Sequence, residues 1–245
     1  MVRYVRDTTG RFSQRPHYEP KELDRECESI VCRFLKEKYG KADFPLSTDD
    51  LTQVIERETE DLDLYADLSD YGVDVEGLTE FRPNKKPLVK ISKLLAADER
   101  YQNRLRTTLA HEYGHVHFHA YLWNAEPPGP DLLRRNPDAI RQICKRDNIL
   151  DAAQKDWMEW QAGYVCGAML MPASRVRGLA GAYQDSNGLY GVIGRGDSNG
   201  QALVEAMITA FQVSGAAATI RLLKLGILGD SAAGPSLFTI QSSAS

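Results

Sequence analysis

Apolar residues recur at the three-to-four spacing of an amphipathic helix in four stretches of the chain. The first stretch runs from Lys21 to Tyr39 and precedes Gly40, which suits a helix end. The second follows Ser47, whose hydroxyl suits an N-cap. The third and fourth cover residues 98–119 and 156–170. Each stretch therefore predicts a helix with one buried face.

Between the second and third of these stretches the period of the pattern changes to two. Residues 61–68 alternate between polar and apolar side chains, residues 72–75 continue the alternation after a turn, and residues 88–91 form another short run. Such alternation is typical of half-buried strands. We therefore expect a small antiparallel sheet ahead of the third helix, and an α+β domain over residues 21–186.

Two terminal segments and one internal segment lack either period. Residues 1–20 predict a flexible N-terminal arm, and residues 229–245 predict a disordered tail. Four prolines between residues 127 and 137 mark an exposed loop, and Leu132-Leu133 together with residues 140–144 suggest a short helix there. This insertion is either a lid or substrate-binding segment over a site, or a plain surface excursion.

The C-terminal part begins with a glycine-rich segment, residues 187–200. We interpret it as a flexible linker, because it lacks the strand and the lysine that a phosphate-binding loop requires. Two helices are then predicted, at residues 201–211 and 216–225, and residues 201–228 resemble a helix-turn-helix. Only Arg221 and Lys224 are basic in the second helix, so packing or partner docking is favoured over DNA binding.

Composition narrows the class of protein without identifying it. The 245 residues are 42% hydrophobic and 26% charged with a net charge of −4, which is typical of a globular domain and not of a broadly basic nucleic-acid surface. No apolar run approaches the length of a membrane span, and no secretory signal is visible, so a cytoplasmic location is expected. The four cysteines are scattered and predict free thiols.

The most specific chemical signal lies in the third helix, where His111, Glu112 and His115 form an H-E-x-x-H motif. Two imidazoles one turn apart can bind one zinc ion, and the intervening Glu can act as a general base on water. We expect both imidazoles to face a cleft. A third ligand should come from another helix, where Glu159 and Asp156 both qualify, although Glu159 is equally compatible with a solvated helix carboxylate.

Two segments together carry a family resemblance. The string Leu109–His115, followed by Glu159-Trp160-Gln161-Ala162 and Met169-Leu170-Met171-Pro172, resembles the ImmA/IrrE family of bacterial zinc metallopeptidases, with departures at Gly163 and Val165-Cys166. The resemblance implies a zincin-like core with His111, His115 and Glu159 as zinc ligands and Glu112 as the catalytic base. It also prefers Glu159 to Asp156, because Glu159 stands three residues before Ala162.

The resemblance further implies an endopeptidase that cleaves a specific protein, a DNA-binding helix-turn-helix repressor, in a stress or DNA-damage response. The alternative is a non-catalytic regulator that binds a transcription factor or DNA, including an antitoxin-like role.

Three other side chains near the motif have open roles. His119 either hydrogen-bonds a ligand carboxylate or the substrate, or is an ordinary helix-end His, and His117 is expected at the surface. Cys144, flanked by Lys145 and Arg146, is either an inert helix Cys or an inhibitory thiolate at the zinc.

Overall fold

The computed structural model describes residues 2–126, 140–145 and 156–230. Its helices are α1 (Pro20–Tyr39), α2 (Thr48–Glu56), α3 (Lys93–Ala96), α4 (Gln102–His119), α5 (Leu122–Ala125), α6 (Trp157–Leu170), α7 (Ala173–Asn187), α8 (Ser198–Phe211) and α9 (Gly215–Lys224). Its strands are β1 (Arg3–Arg6), β2 (Gln14–His17), β3 (Asp61–Ala66), β4 (Val75–Glu80), β5 (Leu88–Ser92), β6 (Arg141–Lys145), β7 (Ile193–Gly194) and β8 (Leu228–Gly229). The molecule is therefore of the mixed α+β class.

Helix α1 begins one residue before its predicted start and ends where predicted, and α2 begins directly after its predicted cap. Helix α1 starts with Pro20 after a capping box formed by Glu19 and Glu22, and it ends at Gly40 with φ of 76°, a left-handed conformation that suits glycine. Ser47 caps α2 by accepting a hydrogen bond from the backbone N–H of Asp50. Both helices bury their predicted apolar faces in the main core.

The central sheet has the order β3-β5-β4-β6. Strand β4 runs antiparallel to both β5 and β6, but β3 runs parallel to β5, so the sheet is mixed and not purely antiparallel as predicted. Strands β3 and β4 are not neighbours in the sheet, because β5, which follows both of them in the sequence, lies between them. Strand β6 occupies residues for which the sequence analysis predicts a short helix, and that prediction is wrong.

Helix α4 lies at the centre of the molecule. It packs against α6 on one side, α2 on another, and the sheet through β4, β5 and β6. Nearly every residue from Leu105 to His119 is buried as a result, with His117 the exception. The predicted amphipathic helix with one open face is therefore a helix covered on all sides.

Two segments predicted to be flexible contain ordered elements. Strands β1 and β2 form an antiparallel pair within residues 1–20, in the predicted N-terminal arm. Strands β7 and β8 pair in parallel, which ties the predicted linker to residue 229 of the predicted tail. Gly200 packs so closely that a Cβ atom there would lie 2.2 Å from the carbonyl oxygen of Gly194. Local composition did not anticipate either pairing.

The two predicted C-terminal helices are present as α8 and α9, bent by 110° relative to each other. Arg221 of α9 is buried, lies 2.7 Å from Asp24 of α1 through Nη2, and donates from Nε to the carbonyl oxygen of Met171. This basic side chain therefore joins α9 to the core.

Several predictions fall outside the described ranges. They include the proline-rich loop, the Leu132-Leu133 segment, and residues 231–245 of the predicted tail. Within the described ranges, no single helix is long and apolar enough to cross a bilayer, although the bent pair α8 and α9 reaches that length and composition together.

Candidate metal centre

Helix α4 brings the two motif imidazoles to one place. His111 and His115 lie one turn apart, and neither has exposed surface. The expectation of an open cleft is wrong for these two rings, because α6 and the sheet cover the face of α4 that carries them. The buried position removes water from the site and strengthens every electrostatic interaction there.

Helix α6 supplies a carboxylate because it approaches α4 very closely. A Cβ atom at Gly114 would lie 2.8 Å from the Cα atom of Ala162, so only a glycine permits this contact. The close approach places Glu159, one turn before Ala162 on the same helix, beside both imidazoles. Asp156 instead contacts Arg11 at 3.4 Å and does not join the group within the described residues.

Three donor groups converge in a triangle. His111 Nε2 lies 3.1 Å from Glu159 Oε2, His115 Nε2 lies 3.2 Å from Glu159 Oε1, and the two Nε2 atoms are 3.2 Å apart. A tetrahedral zinc ion bound at roughly 2.0–2.1 Å would hold its ligand atoms roughly 3.3 Å apart. The two imidazole nitrogens are spaced as two ligands of one tetrahedral ion, each of them faces a different oxygen of Glu159, and the group is able to hold a metal ion.

The charge of this group is compatible with a cation. Burial acts to raise the pKa of the Glu159 carboxyl, but the imidazoles of His115 and His111 outweigh burial and hold that pKa well below its usual range. Glu159 is thus a carboxylate, and two nitrogens and one carboxylate are a ligand set that zinc accepts.

Glu112 stands beside the triangle, inside the protein. It has no exposed surface, and Oε2 accepts a hydrogen bond from the Thr79 hydroxyl of β4. Its other oxygen, Oε1, has no hydrogen-bond partner among the described residues. Burial raises the pKa of this carboxyl, against the opposing effect of His115 and His111. A buried carboxylate oxygen without a hydrogen-bond partner is rare in folded proteins, which sets Glu112 apart from a purely structural carboxylate.

The strand opposite α4 makes room for that carboxylate. Gly77 of β4 faces Glu112, and a Cβ atom at Gly77 would lie 2.4 Å from Glu112 Oε1. Gly77 and Thr79 were not among the predicted site residues. The only signal available was a polar and glycine-containing run, residues 76–80, inside a predicted sheet.

A second layer of polar side chains surrounds the ligands. Gln142 of β6 donates from Nε2 to Glu159 Oε1, and Arg11 donates to Gln142 Oε1 at 3.3 Å. His119 contacts His115 through their Nδ1 atoms, at 3.0 Å, and Gln161 through Nε2, at 2.9 Å. Burial and the neighbouring His115 lower the pKa of His119 well below its usual value, so its ring is neutral. His119 therefore contacts an imidazole of the group, His115, and not the ligand carboxylate that was predicted as its partner.

The remaining histidines lie apart from the centre. His117 is a quarter exposed, and its Nδ1 lies 2.8 Å from Glu58 Oε2, in agreement with the predicted surface position. His17 contacts Glu19 at 3.1 Å. Neither belongs to the metal-binding group among the described residues.

Cys144 lies near the metal-binding group, and its side chain is a protonated thiol. Its sulfur is buried and lies with His111 and Glu112 in a group of atoms within 4.8 Å of one another, separate from the group that contains Glu159. Burial raises the pKa of the Cys144 thiol well above its ordinary value, and the carboxylates of Glu112 and Glu159 raise it further. Lys145 points to Asp74, at 3.5 Å, and not to the thiol. Arg146, the second cation of that prediction, lies outside the described residues. The described surroundings of Cys144 do not support a cation-activated thiolate.

No family model, no curated protein sequence and no solved structure matched the chain in three comparisons. The similarity to the ImmA/IrrE family therefore remains a prediction from the two helix motifs.

Proposed function

We propose that the protein is a zinc-dependent endopeptidase. The observation that carries this proposal is the triangle of His111, His115 and Glu159 with the buried, half-partnered carboxylate of Glu112 beside it. A structural zinc site has four protein ligands, whereas a hydrolytic site has three and keeps one position open. Zinc in such a site acts as a Lewis acid and lowers the pKa of water.

The residues around the ion have separate tasks. Glu112 accepts the proton of the attacking water at Oε1 and delivers it to the departing amine, while Thr79 holds Oε2 in place. A raised pKa suits this carboxyl to both acceptance and release of a proton. Two tyrosines close in sequence are already engaged: Tyr113 donates to Glu58 at 2.7 Å and Tyr164 to Asp24 at 3.0 Å. Neither is assigned to the oxyanion.

The proposed substrate is one specific protein, a helix-turn-helix repressor cleaved in the cytoplasm during stress or DNA damage. Its basis is the family resemblance. Strand β6 lies at the edge of the described sheet and carries Gln142 beside Glu159, so an extended peptide pairing with β6 would pass close to the centre. Because His111 and His115 have no exposed surface, a peptide reaches them only after neighbouring groups move.

The test is co-expression of the protein with the repressor encoded by the neighbouring gene. The wild type should fragment the repressor, and Glu112→Gln should bind zinc equally well but lose about 100-fold or more of the cleavage rate, since the base is absent. Gln keeps the shape of the side chain and an oxygen for the Thr79 hydroxyl. Zinc is measured by elemental analysis and cleavage by mass spectrometry of the fragments. Undiminished cleavage by Glu112→Gln would reject this base, and a wild type without zinc would reject the site.

A regulatory protein that binds DNA is the second candidate, because the 110° bend between α8 and α9 is within the range of helix-turn-helix motifs. The burial of Arg221 weighs against it, since that guanidinium is engaged inside the protein. A gel shift over a salt series separates the two candidates. Binding that weakens steeply with salt would support DNA recognition.

A further inference from the structure

A continuous line of hydrogen bonds leads from the metal centre to the N-terminal hairpin. His115 Nδ1 lies 3.0 Å from His119 Nδ1, and His119 Nε2 lies 2.9 Å from Gln161 Oε1. Gln161 Nε2 in turn donates to the backbone carbonyl oxygen of Pro16, at 3.2 Å. His115, His119 and Gln161 are all buried, so each of these polar groups depends on the others for a partner.

The direction of every hydrogen bond in this line follows from its last member. The Pro16 carbonyl oxygen only accepts, so the amide nitrogen of Gln161 faces it and the amide oxygen faces His119. His119 Nε2 must therefore donate to Gln161. A neutral imidazole carries one proton, which leaves His119 Nδ1 as an acceptor. His115 Nδ1 must then donate, and the lone pair of a neutral His115 stands on Nε2. The Glu159 carboxylate, 3.2 Å from Nε2, only accepts and favours a proton there, so the line acts against that preference.

We propose that the line from Pro16 through Gln161 and His119 selects the tautomer of His115 whose Nε2 is free to bind a metal ion. His119 and Gln161 are then positioning residues for a metal ligand. This inference rests on the proposed function only in assuming that the triangle binds zinc. Without the line, His115 exchanges between two tautomers, and only one presents a lone pair to the ion.

The anchor of this line is part of a larger contact between the hairpin and the ligands. Arg11, in the loop between β1 and β2, donates to Gln142, which donates to Glu159. Trp157 of α6 packs edge-on against His119, with ring centroids 5.3 Å apart, and its Nε1 donates to Asp7 of the same hairpin segment at 3.1 Å. The N-terminal segment therefore supports two of the three ligands.

The test compares two replacements of His119 in the full-length protein. Phe keeps the ring that packs against Trp157 but offers no acceptor to His115. Asn loses the ring but places an oxygen where Nδ1 stood, so it accepts from His115 as His119 does. His117→Phe is the matched control, because it removes a histidine of the same helix that contacts Glu58 instead of the centre.

Two measurements are made on each protein. Zinc affinity is measured by competition with a chelating dye, and long-range proton–nitrogen NMR of the metal-free protein reports which nitrogen of each imidazole carries the proton. His119→Phe should weaken zinc binding about 10- to 100-fold, as removal of outer partners of metal ligands does. His119→Asn should recover most of that loss, and His117→Phe should match the wild type. In the wild type, Nδ1 of His115 and Nε2 of His119 should be protonated.

A wild-type spectrum with the proton of His115 on Nε2 overturns the proposal, and so does an affinity of His119→Phe within about twofold of wild type. If the Phe variant does not fold, Gln161→Leu replaces it, with mixed tautomers expected for His115. The peptidase proposal can fail independently of this one. It fails if the wild type binds zinc but shows no Glu112-dependent cleavage, even when the His115 tautomer and the order of zinc affinities among the variants are as proposed.

Discussion

At the scale of single residues, the absence of a side chain at Gly77 decides where the proposed base lies. A methyl group there would approach Glu112 Oε1 to 2.4 Å and Thr108 Cγ2 to 2.9 Å. Strand β4 is paired on both sides, so its backbone is held in place and Glu112 must move instead. Gly77→Ala should lower the cleavage rate about 10- to 100-fold and leave zinc binding nearly unchanged, because the three atoms nearest to the added methyl group belong to Glu112 and Thr108 and not to the proposed ligands.

The measurement is fragmentation of the repressor together with zinc content. Gly178→Ala is the control, since Gly178 is exposed on α7 and no atom outside its own helix and neighbours lies within 4 Å of the added methyl group. The control should cleave like the wild type. Normal cleavage by Gly77→Ala would show that Glu112 does not act from the position described here.

At the same scale, only part of the site could be predicted from the sequence. The spacing of His111 and His115 on a helix predicts that both face one point, and the structure brings them together with Glu159. The contacts of Thr79, Gln142 and Gln161 could not be predicted in this way. Each comes from a different strand or helix, and their meeting depends on tertiary packing that local periodicity does not contain.

At the scale of elements, the failures of prediction have a common cause. Residues 76–80 of β4 include Glu76 and Thr79, which are polar yet buried because they face α4. Strand β6 likewise buries Gln142 beside Glu159. Strands that line a polar centre lose the alternation of apolar and polar residues, so their pattern predicts no strand or a different element. The buried apolar residues of helices α1 and α2 all belong to the main apolar core, and both helices follow their pattern.

The contact between α4 and α6 is the element-scale feature on which the triangle depends. Gly114→Ala places a methyl group 2.8 Å from Ala162 Cα and forces the two helices apart. We expect the free energy of unfolding to fall by about 1–3 kcal/mol through overpacking. Zinc affinity should fall as well, because Glu159 moves with α6 while the imidazoles stay on α4. Urea denaturation and dye competition measure the two effects.

A second glycine-to-alanine substitution, expected to change stability in the opposite direction, is the control for that prediction. Gly181 lies within α7 with no atom outside its own helix and neighbours within 4 Å of an added methyl group, so Gly181→Ala should stabilise the protein by about 0.5–1 kcal/mol. If Gly114→Ala is also stabilising, the helices are not in the close contact described.

At the scale of the whole molecule, both ends of the described chain are fastened to the helices that carry the site. The hairpin reaches the centre through Arg11 and the Pro16 carbonyl oxygen. The C-terminal helices reach α1 and the end of α6 through Arg221. Sequence composition predicts an arm and a linker at these places. The N-terminal arm is ordered by Gln161, a partner more than 100 residues away along the chain. The linker is ordered by the pairing of β7 with β8, which involves only two residues of each strand.

The buried pair of Arg221 and Asp24 should therefore matter to the stability of the whole chain. Arg221→Met leaves the Asp24 carboxylate inside the protein without its cation, and we expect unfolding to become easier by about 3 kcal/mol. Adding Asp24→Asn should restore most of that loss, since the uncompensated charge is gone. Arg195→Met, which breaks an exposed pair with Asp230, should change stability by less than about 1 kcal/mol. Urea denaturation followed by circular dichroism measures all four proteins. Equal stability of Arg221→Met and Arg195→Met would mean that α9 is not anchored through this contact.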